Sequence, residues 1–229
     1  MTLSEIIQLF RAENPEITTQ VVSDVLLKLW AKQGDKEFCA LTRCIVGDAT
    51  INSIASSSVY LTKYDLEANI DKFFDIDDFP GGGVSFDDEP LIKTTVSELD
   101  KDDPSWRTRS AGTPEKWYRR GKYLYFDYPV LTADKKIRIY SVLVSDDFVG
   151  DDTTPYNQLS HLTPYHYGIN KYLQWKAKAK VGKPNEAQSA QAEFLDYAKF
   201  TKAQIGGNRY SPIKIVSKEN LYNNPTLGR

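Results

Sequence analysis

The spacing of apolar residues changes twice along the chain, from a helical to a strand-like period and back, and this change limits the possible folds. Apolar residues recur about every 3.6 positions over residues 22–45, which predicts a helix from about Thr18 to Cys44. Short alternating runs such as Ile137 to Val144 predict strands across the middle of the chain. Helical signals return at Thr163-Pro164, because threonine caps helices and proline suits their first turn. Helices at both ends and strands between them indicate an α+β fold.

We expect these changes to divide the chain into four parts. The parts are N-terminal helices at residues 1–50, a central β-rich domain at 51–157, a helical hairpin at 158–206 and an extended C-terminal arm at 207–229. The two helical parts are predicted to complete one helical bundle, and the central antiparallel strands to form a small sandwich or barrel. Gly206-Gly207 is predicted to end the last helix, because glycine commonly follows a helix C-terminus.

The composition is that of an ordinary soluble domain and argues against several classes of function. The chain has 229 residues, of which 41% are hydrophobic and 26% charged, and its formal net charge is −2. This balance gives no overall attraction to nucleic acid or to a membrane surface. No window approaches the roughly 20 apolar residues of a membrane span. The first residues also lack the pattern of a secretory leader, so we expect no membrane partner.

Two cysteines and two histidines do not predict a metal or catalytic site. Cys39 and Cys44 stand five residues apart in a helical pattern, so we expect diverging, buried thiols in a reduced compartment rather than a disulfide. His161 and His166 lack cysteine or aspartate at ligand spacing, which favours a capping or interface role. No cofactor is expected.

Acidic residues are concentrated in one part of the chain and basic residues in another. Residues 64–103 hold 13 acidic and three basic residues, whereas residues 161–229 hold 11 basic and four acidic ones. Six of the acidic residues flank a glycine-rich tip at residues 80–83: Asp75, Asp77, Asp78, Asp87, Asp88 and Glu89. They lack the Asp-x-Asp-x-Asp-Gly order of a calcium loop, so we expect mostly exposed carboxylates without a metal. A metal-dependent hydrolase using this cluster stays open as an alternative.

A loop between two predicted strands carries two tryptophans and no catalytic residue type. Proline and glycine shape this loop, because Pro114 blocks helix and Gly112 permits backbone angles that other residues resist. The large apolar side chains must pack on something, so both tryptophans are predicted to be buried. We interpret the loop as a structural clasp formed by Trp106, Gly112, Pro114, Trp117 and Tyr118.

The C-terminal arm combines apolar anchors with prolines and asparagines. Its predicted partner-binding residues are Tyr210, Ile213, Ile215, Leu221 and Tyr222. A segment of this kind does not bury such side chains by itself. The alternating Ile213 and Ile215 suit a strand added to the edge of a neighbouring sheet. We therefore expect the arm to dock on a partner, with an unpartnered frayed terminus as the alternative.

Together, these pieces resemble the head-to-tail adaptor (connector) proteins of tailed bacteriophages over roughly residues 20–205. The matching motifs, in family order, are Ser23-Asp24-x-x-Leu27-x-x-Trp30, Phe38 to Arg43, Tyr64-Asp65-Leu66, Ile70 to Ile76, Pro90-Leu91 to Asp100, Pro104-x-Trp106, Gly112-Thr113-Pro114-x-x-Trp117-Tyr118, Leu124 to Pro129, Ile137 to Val144, and the helical pair after Pro164. The chain departs from the family pattern at Glu67, where proline is usual, and in its acidic hairpin and long arm.

The resemblance implies a structural virion protein rather than an enzyme. Such proteins form a ring, usually a dodecamer, that joins the portal to the tail or to the next ring, and genomic DNA passes through its lumen without sequence-specific binding. It further implies assembly in the host cytoplasm and a final place at the head-tail junction. The acidic residues would then face the lumen or the tail, and the arm would bind the portal or a neighbouring subunit. A β-rich carbohydrate- or host-binding tail module is the other alternative.

Overall fold

A computed structural model of the chain describes residues 1–59, 63–77, 83–146 and 150–210, the last five of them by their backbone alone. The helices are α1 (Leu3–Glu13), α2 (Asp24–Thr42), α3 (Leu66–Asn69), α4 (Val96–Asp102), α5 (Tyr167–Lys180) and α6 (Pro184–Tyr210). The strands are β1 (Val46–Asn52), β2 (Lys63–Asp65), β3 (Phe73–Ile76), β4 (Val84–Phe86), β5 (Glu89–Pro90), β6 (Ile92–Lys93), β7 (Lys116–Arg120), β8 (Tyr123–Phe126) and β9 (Lys136–Leu143). The predicted α+β class is confirmed.

Side-chain caps set where the first two helices begin. The hydroxyl of Thr2 accepts a bond from the backbone N–H of Glu5 at 3.2 Å, and the Glu5 carboxylate accepts one from the Thr2 N–H at 2.8 Å. The Ser23 hydroxyl accepts the N–H of Leu26 at 3.3 Å. The predicted start of the second helix at Thr18 is therefore wrong, because the serine cap delays it to Asp24.

Helix α5 packs against α1, α2 and α6, and the four helices share one buried apolar cluster. Two glycines let α2 and α5 approach closely. A Cβ atom added at Gly34 would lie 2.8 Å from the Tyr172 ring, and one added at Gly168 would lie 2.5 Å from the Phe38 ring. The close approach of the two helices thus explains why a glycine stands at position 34, which the sequence alone does not settle.

We expect Gly34→Ala to lower the free energy of unfolding by about 1–3 kcal/mol, because overpacking outweighs the helix propensity that alanine gains. Urea unfolding followed by circular dichroism measures the change. The matched control is Gln33→Ala, at the exposed neighbouring position, which should leave the midpoint almost unchanged. A stabilised Gly34→Ala variant would show that the two helices can move apart without cost.

The contacts of α5 fix the relative directions of α2 and α6. Residues 34 and 38 of α2 lie against residues 172 and 168 of α5, so these helices run antiparallel. Lys171 pairs with Glu193 at 2.7 Å, and the Tyr197 hydroxyl donates to the Pro164 carbonyl at 3.4 Å, so α5 and α6 are antiparallel as well. Helices α2 and α6 therefore run parallel, and both end on the side of the molecule where β1 begins.

Helix α6 continues to Tyr210, so the predicted helix end at Gly206-Gly207 is wrong. Glycine inside a helix costs only about 1 kcal/mol relative to alanine. The buried Thr201 and Ile205 hold the preceding turns of α6 against the molecule. The predicted arm, residues 207–229, therefore begins as helix. Its residues 211–229 lie outside the described part of the chain.

The two cysteines meet, contrary to the expectation that their side chains diverge. Arg43 takes a left-handed conformation (φ 56°) directly after α2, and this turn brings the chain back on itself. The Sγ atoms of Cys39 and Cys44 then lie 3.5 Å apart, and both thiols are buried and not joined by a disulfide. Burial raises the pKa of Cys39 well above its ordinary value.

The strands form two sheets that enclose a second apolar cluster. One sheet has the order β1-β9-β4-β5, with β3 also paired to β9, and the other has the order β2-β8-β7-β6. All pairs are antiparallel except β6–β7, which departs from the prediction. The parallel pair is possible because α4 and the tryptophan loop carry the chain back between these strands. Trp117 and Phe126 from one sheet pack with Ile137 and Ile139 from the other.

The division of the chain into four parts stays a proposal. Strand β1 begins at Val46 and so crosses the expected limit at residue 50. Tyr156 and Leu162, on either side of the expected limit at residue 157, both join the helical cluster. Domain limits drawn from predicted secondary structure miss these contacts, because short loops carry the chain between the helices and the sheets.

Candidate functional site

Trp106 is the centre of one half of the predicted clasp. Its side chain is buried, and its indole N–H donates to the Asp100 carboxylate at 2.8 Å. The guanidinium of Arg107 lies 4.8 Å from the Trp106 ring centre and pairs with the same carboxylate. Arg107 and Trp106 together hold the pKa of Asp100 below its ordinary value. The ring of Tyr118 contacts Trp106 edge-on at 5.8 Å. Trp106 thereby joins α4 to β7.

Trp117 is buried in a different cluster, between the two sheets. The neighbouring Tyr118 faces the other side of β7, where it packs with Trp106 and stacks on Tyr125 at 5.1 Å. Successive side chains of a strand point to opposite faces, so the two tryptophans anchor opposite sides of one sheet. The burial predicted for both is found, and their role as a clasp stays a prediction.

Gly112 lies close to an aromatic ring and does not adopt an unusual backbone angle. We expected a backbone angle that other residues resist, but the φ of Gly112 is not positive. A Cβ atom at Gly112 would lie 3.2 Å from the ring of Tyr128. The Gly112 N–H donates to the carbonyl of Pro129 at 2.9 Å, and its carbonyl accepts from Leu131 at 3.2 Å. Pro114 then leads the chain into β7.

A buried aspartate that the motif analysis missed fixes the entry to β7. Asp127 is 1% exposed and accepts the backbone N–H groups of Glu115 at 3.0 Å and Lys116 at 2.9 Å. Arg109 bridges Asp127 at 3.3 Å and Asp103 at 2.9 Å. The only sequence signal was an acidic residue inside an otherwise apolar and aromatic run, Leu124 to Pro129.

We expect Trp117→Ala to lower the free energy of unfolding by about 3–5 kcal/mol, because the truncation leaves a large cavity between the sheets. Trp117→Phe keeps most of the buried apolar surface and should cost clearly less. Chemical denaturation monitored by circular dichroism gives both values. An unchanged unfolding midpoint for Trp117→Ala would contradict a structural role of this side chain.

The structure gives the acidic residues different roles. Asp75, on β3, pairs with Arg43 at the end of α2 and with Arg119 on β7, and so connects the helices to both sheets. Asp77 is 8% exposed, so the expectation of mostly exposed carboxylates is wrong there. Both residues adjoin the sheet that β3 enters, which is why they are drawn inward. Asp78 lies outside the described residues.

Asp87 and Asp88 form the turn between β4 and β5. Their φ values are 52° and 70°, the left-handed conformation that a two-residue hairpin loop requires and that aspartate tolerates. Asp87 pairs with Lys135 at 2.6 Å and Asp88 with Arg138 at 3.5 Å, and Glu89 is exposed. Several of these carboxylates are therefore already balanced by cations.

The acidic turn and the clasp meet at a cleft of about 360 Å³. The cleft is lined by Phe86, Asp87, Glu89, Gly112, Thr113, Pro114, Leu131, Thr132 and Lys135. Its lining holds no histidine or cysteine. Across the ranges that the structure describes, no three acidic, histidine or cysteine side chains converge so that they could hold a metal ion.

The predicted partner-binding residues of the arm lie almost entirely beyond the described chain. Tyr210 is the last residue of α6, and only its backbone is described. Ile213, Ile215, Leu221 and Tyr222 are outside the described residues. No helix of the described residues combines the length and apolar character needed to cross a membrane.

Comparison with known protein families identifies the family of the chain. A family model described as SU10 adaptor protein matches residues 1–215. The chain belongs to this family. The match includes every helix and strand of the fold and confirms the resemblance to phage head-to-tail adaptors. The chain is thus a bacteriophage structural adaptor, and the family places it at the head-tail junction of the virion. No curated protein matches the chain.

The two histidines of the adaptor lie in contrasting surroundings. His161 is exposed, whereas His166 is 2% exposed and its Nδ1 lies 2.7 Å from the amino group of Met1. Burial, and then the neighbouring ammonium group, lowers the pKa of His166 to about 4. His166 therefore stays neutral in the folded protein at neutral pH.

We expect the adaptor to lose stability as the pH falls from about 6.5 towards 4. The unfolded chain binds a proton at the ordinary histidine pKa of about 6.5, whereas folded His166 resists protonation until about pH 4. His166→Gln should make the melting temperature less dependent on pH across this range. His161→Gln is the matched control. Equal pH dependence in the wild type and in His166→Gln would contradict this account.

Proposed function

We propose that the adaptor assembles into a closed ring, most simply a dodecamer, that joins the portal protein to the tail or to the next ring. Genomic DNA passes through the lumen of this ring without sequence-specific binding. Assembly takes place in the host cytoplasm, before the ring becomes part of the virion. Membership of the SU10 adaptor family supports this proposal.

An exposed apolar stripe on α2 and an exposed aromatic side chain on α6 carry the proposal. On α2, Val25 and Leu29 are 79% and 51% exposed and stand four residues apart, so they form one stripe, and Val21, in the turn before the helix, is 49% exposed. On α6, Phe200 is 57% exposed. A ring needs a head-to-tail contact between two different surfaces of the same chain. The stripe on α2 and the ring of Phe200 provide two such surfaces.

The uneven distribution of acidic and basic residues along the chain suggests which surfaces of the ring face which partners. We assign the exposed acidic residues of the hairpin to the lumen or to the tail side, where negative charge limits the adhesion of DNA phosphates. The arm, with its basic residues, is assigned to the portal or to a neighbouring subunit. The ion pairs of Asp75, Asp87 and Asp88 weigh against a hydrolase that would need these carboxylates free for a cation.

The double variant Val25→Asp, Leu29→Asp should fold and fail to form rings, because a charge on the stripe must be desolvated in the contact. Native mass spectrometry, alone and with purified portal, measures the number of copies. The control Thr132→Asp, Ala133→Asp places the same two charges on an exposed loop and should leave ring formation unchanged. A wild-type adaptor that stays monomeric with the portal would contradict the proposed function.

A further inference from the structure

Strand β1 is an open edge of its sheet. Among the strands that the structure describes, it stands at one end of its sheet, and it pairs on one side with β9 over all seven of its residues. Edge strands of this length are templates for pairing with another chain, and proteins usually shorten, cover or charge them. Asp48 is the single charged residue of β1. The usual protection of an edge is therefore weak here.

The register shows which backbone groups face outward. The Leu143 N–H donates to the Ile45 carbonyl, and the Ser53 N–H donates to the Lys135 carbonyl, so odd-numbered residues bond to β9. In an antiparallel pair the N–H and C=O of one residue point to the same side. The N–H and C=O groups of residues 46, 48, 50 and 52 are therefore directed away from β9, towards the open edge.

The two faces of β1 differ in character. Gly47, Ala49 and Ile51 are half-buried, and the last two pack against the cluster between the sheets. The even-numbered residues, Asp48 and Thr50 among them, are exposed on the other face. A strand that fits this edge needs apolar residues on one face and a cation beside Asp48 on the other.

The chain contains one segment with this pattern close to its C-terminus. Residues 213–218 read Ile-Lys-Ile-Val-Ser-Lys and follow a proline, which is tolerated before a strand. Ile213 and Ile215 fall on one face, and Lys214 falls on the other. The segment begins three residues beyond α6, whose end lies on the side of the molecule where β1 begins.

We infer that residues 213–218 of one adaptor add as a strand to the β1 edge of a neighbouring copy. The added strand runs parallel to β1 with Lys214 opposite Asp48, so that Ile213 and Ile215 lie beside Gly47 and Ala49, and Val216 lies beside Thr50. This inference rests on the proposed ring, in which every copy both donates an arm and receives one. Closure of the ring then leaves no open edge, which removes the hazard of unspecific strand pairing.

Cross-linking between two distinguishable full-length chains tests the inference. One chain carries Thr50→Cys and a mass tag, the other carries Val216→Cys, and a short bis-maleimide joins the two thiols. Native Cys39 and Cys44 are buried, so the introduced thiols react first. We expect the mixed, tagged-plus-untagged dimer as the main product. Ala133→Cys in place of Thr50→Cys is the control and should give at least tenfold less of it.

Charge reversal tests the register. Asp48→Lys in the receiving chain should lower the yield of mixed dimer at least fivefold, and Lys214→Asp in the donating chain should restore it. Restoration is the decisive readout, because a folding defect caused by Asp48→Lys would not be repaired by a change in the other chain. Equal yields with and without charge reversal would overturn the pairing of these two residues.

The outcomes separate this inference from the proposed function. Rings that form on the portal without the mixed dimer would overturn the edge pairing and leave the adaptor function intact. A cross-link confined to one chain, when both cysteines are placed in the same copy, would show that the arm covers its own edge and would also overturn it. A mixed dimer from chains that never join a portal would support the pairing and contradict the proposed function.

Discussion

The carboxylate of Asp35 holds the helical layer to the rest of the molecule. Asp35 lies in the middle of α2, is 1% exposed, and accepts the N–H of Tyr156 at 3.0 Å and the hydroxyl of Ser145. Ser145 follows β9, and Tyr156 precedes the turns that lead to α5. A buried carboxylate that loses such partners is costly, so the path of the chain between the layers depends on this contact.

Tyr156, which is bound to Asp35, also contacts the core of the helical layer. Its ring stacks on Phe38 at 5.2 Å, and its hydroxyl donates to the carbonyl of Tyr165 at 3.0 Å. Phe38 in turn occupies the space that Gly168 leaves open on α5. The position of α5, against which α1, α2 and α6 pack, is thus tied to the end of the longest strand.

A second connection lies at Asp75, on the other side of the same layer boundary. This residue belongs to one sheet, Arg119 to the other and Arg43 to the C-terminus of α2. One acidic side chain therefore joins three elements that are distant in sequence. This member of the acidic cluster therefore has a structural role. Among the described residues, the surfaces that we propose for partners are the open edge of β1, the stripe on α2 and the exposed ring of Phe200.

Much of the fold could be predicted from local patterns, because the forces concerned act within a few residues. The Thr2–Glu5 capping box is such a case, and so are the alternation in β9 and the helix signal at Pro164. The burial of Trp106 and Trp117 followed from their size alone. The family could be recognised because the order of many weak motifs is itself specific.

The sequence by itself determined the α+β class, the family and the burial of the two tryptophans. Only the tertiary structure decided that Asp35, Asp75 and Asp127 are structural, that the cysteines meet, and that β1 forms an open edge. The physical reason is the distance along the chain over which each interaction acts. Capping and periodicity act between neighbours in the chain, whereas a carboxylate finds its donors, and a strand its partners, only after segments far apart in sequence have packed together.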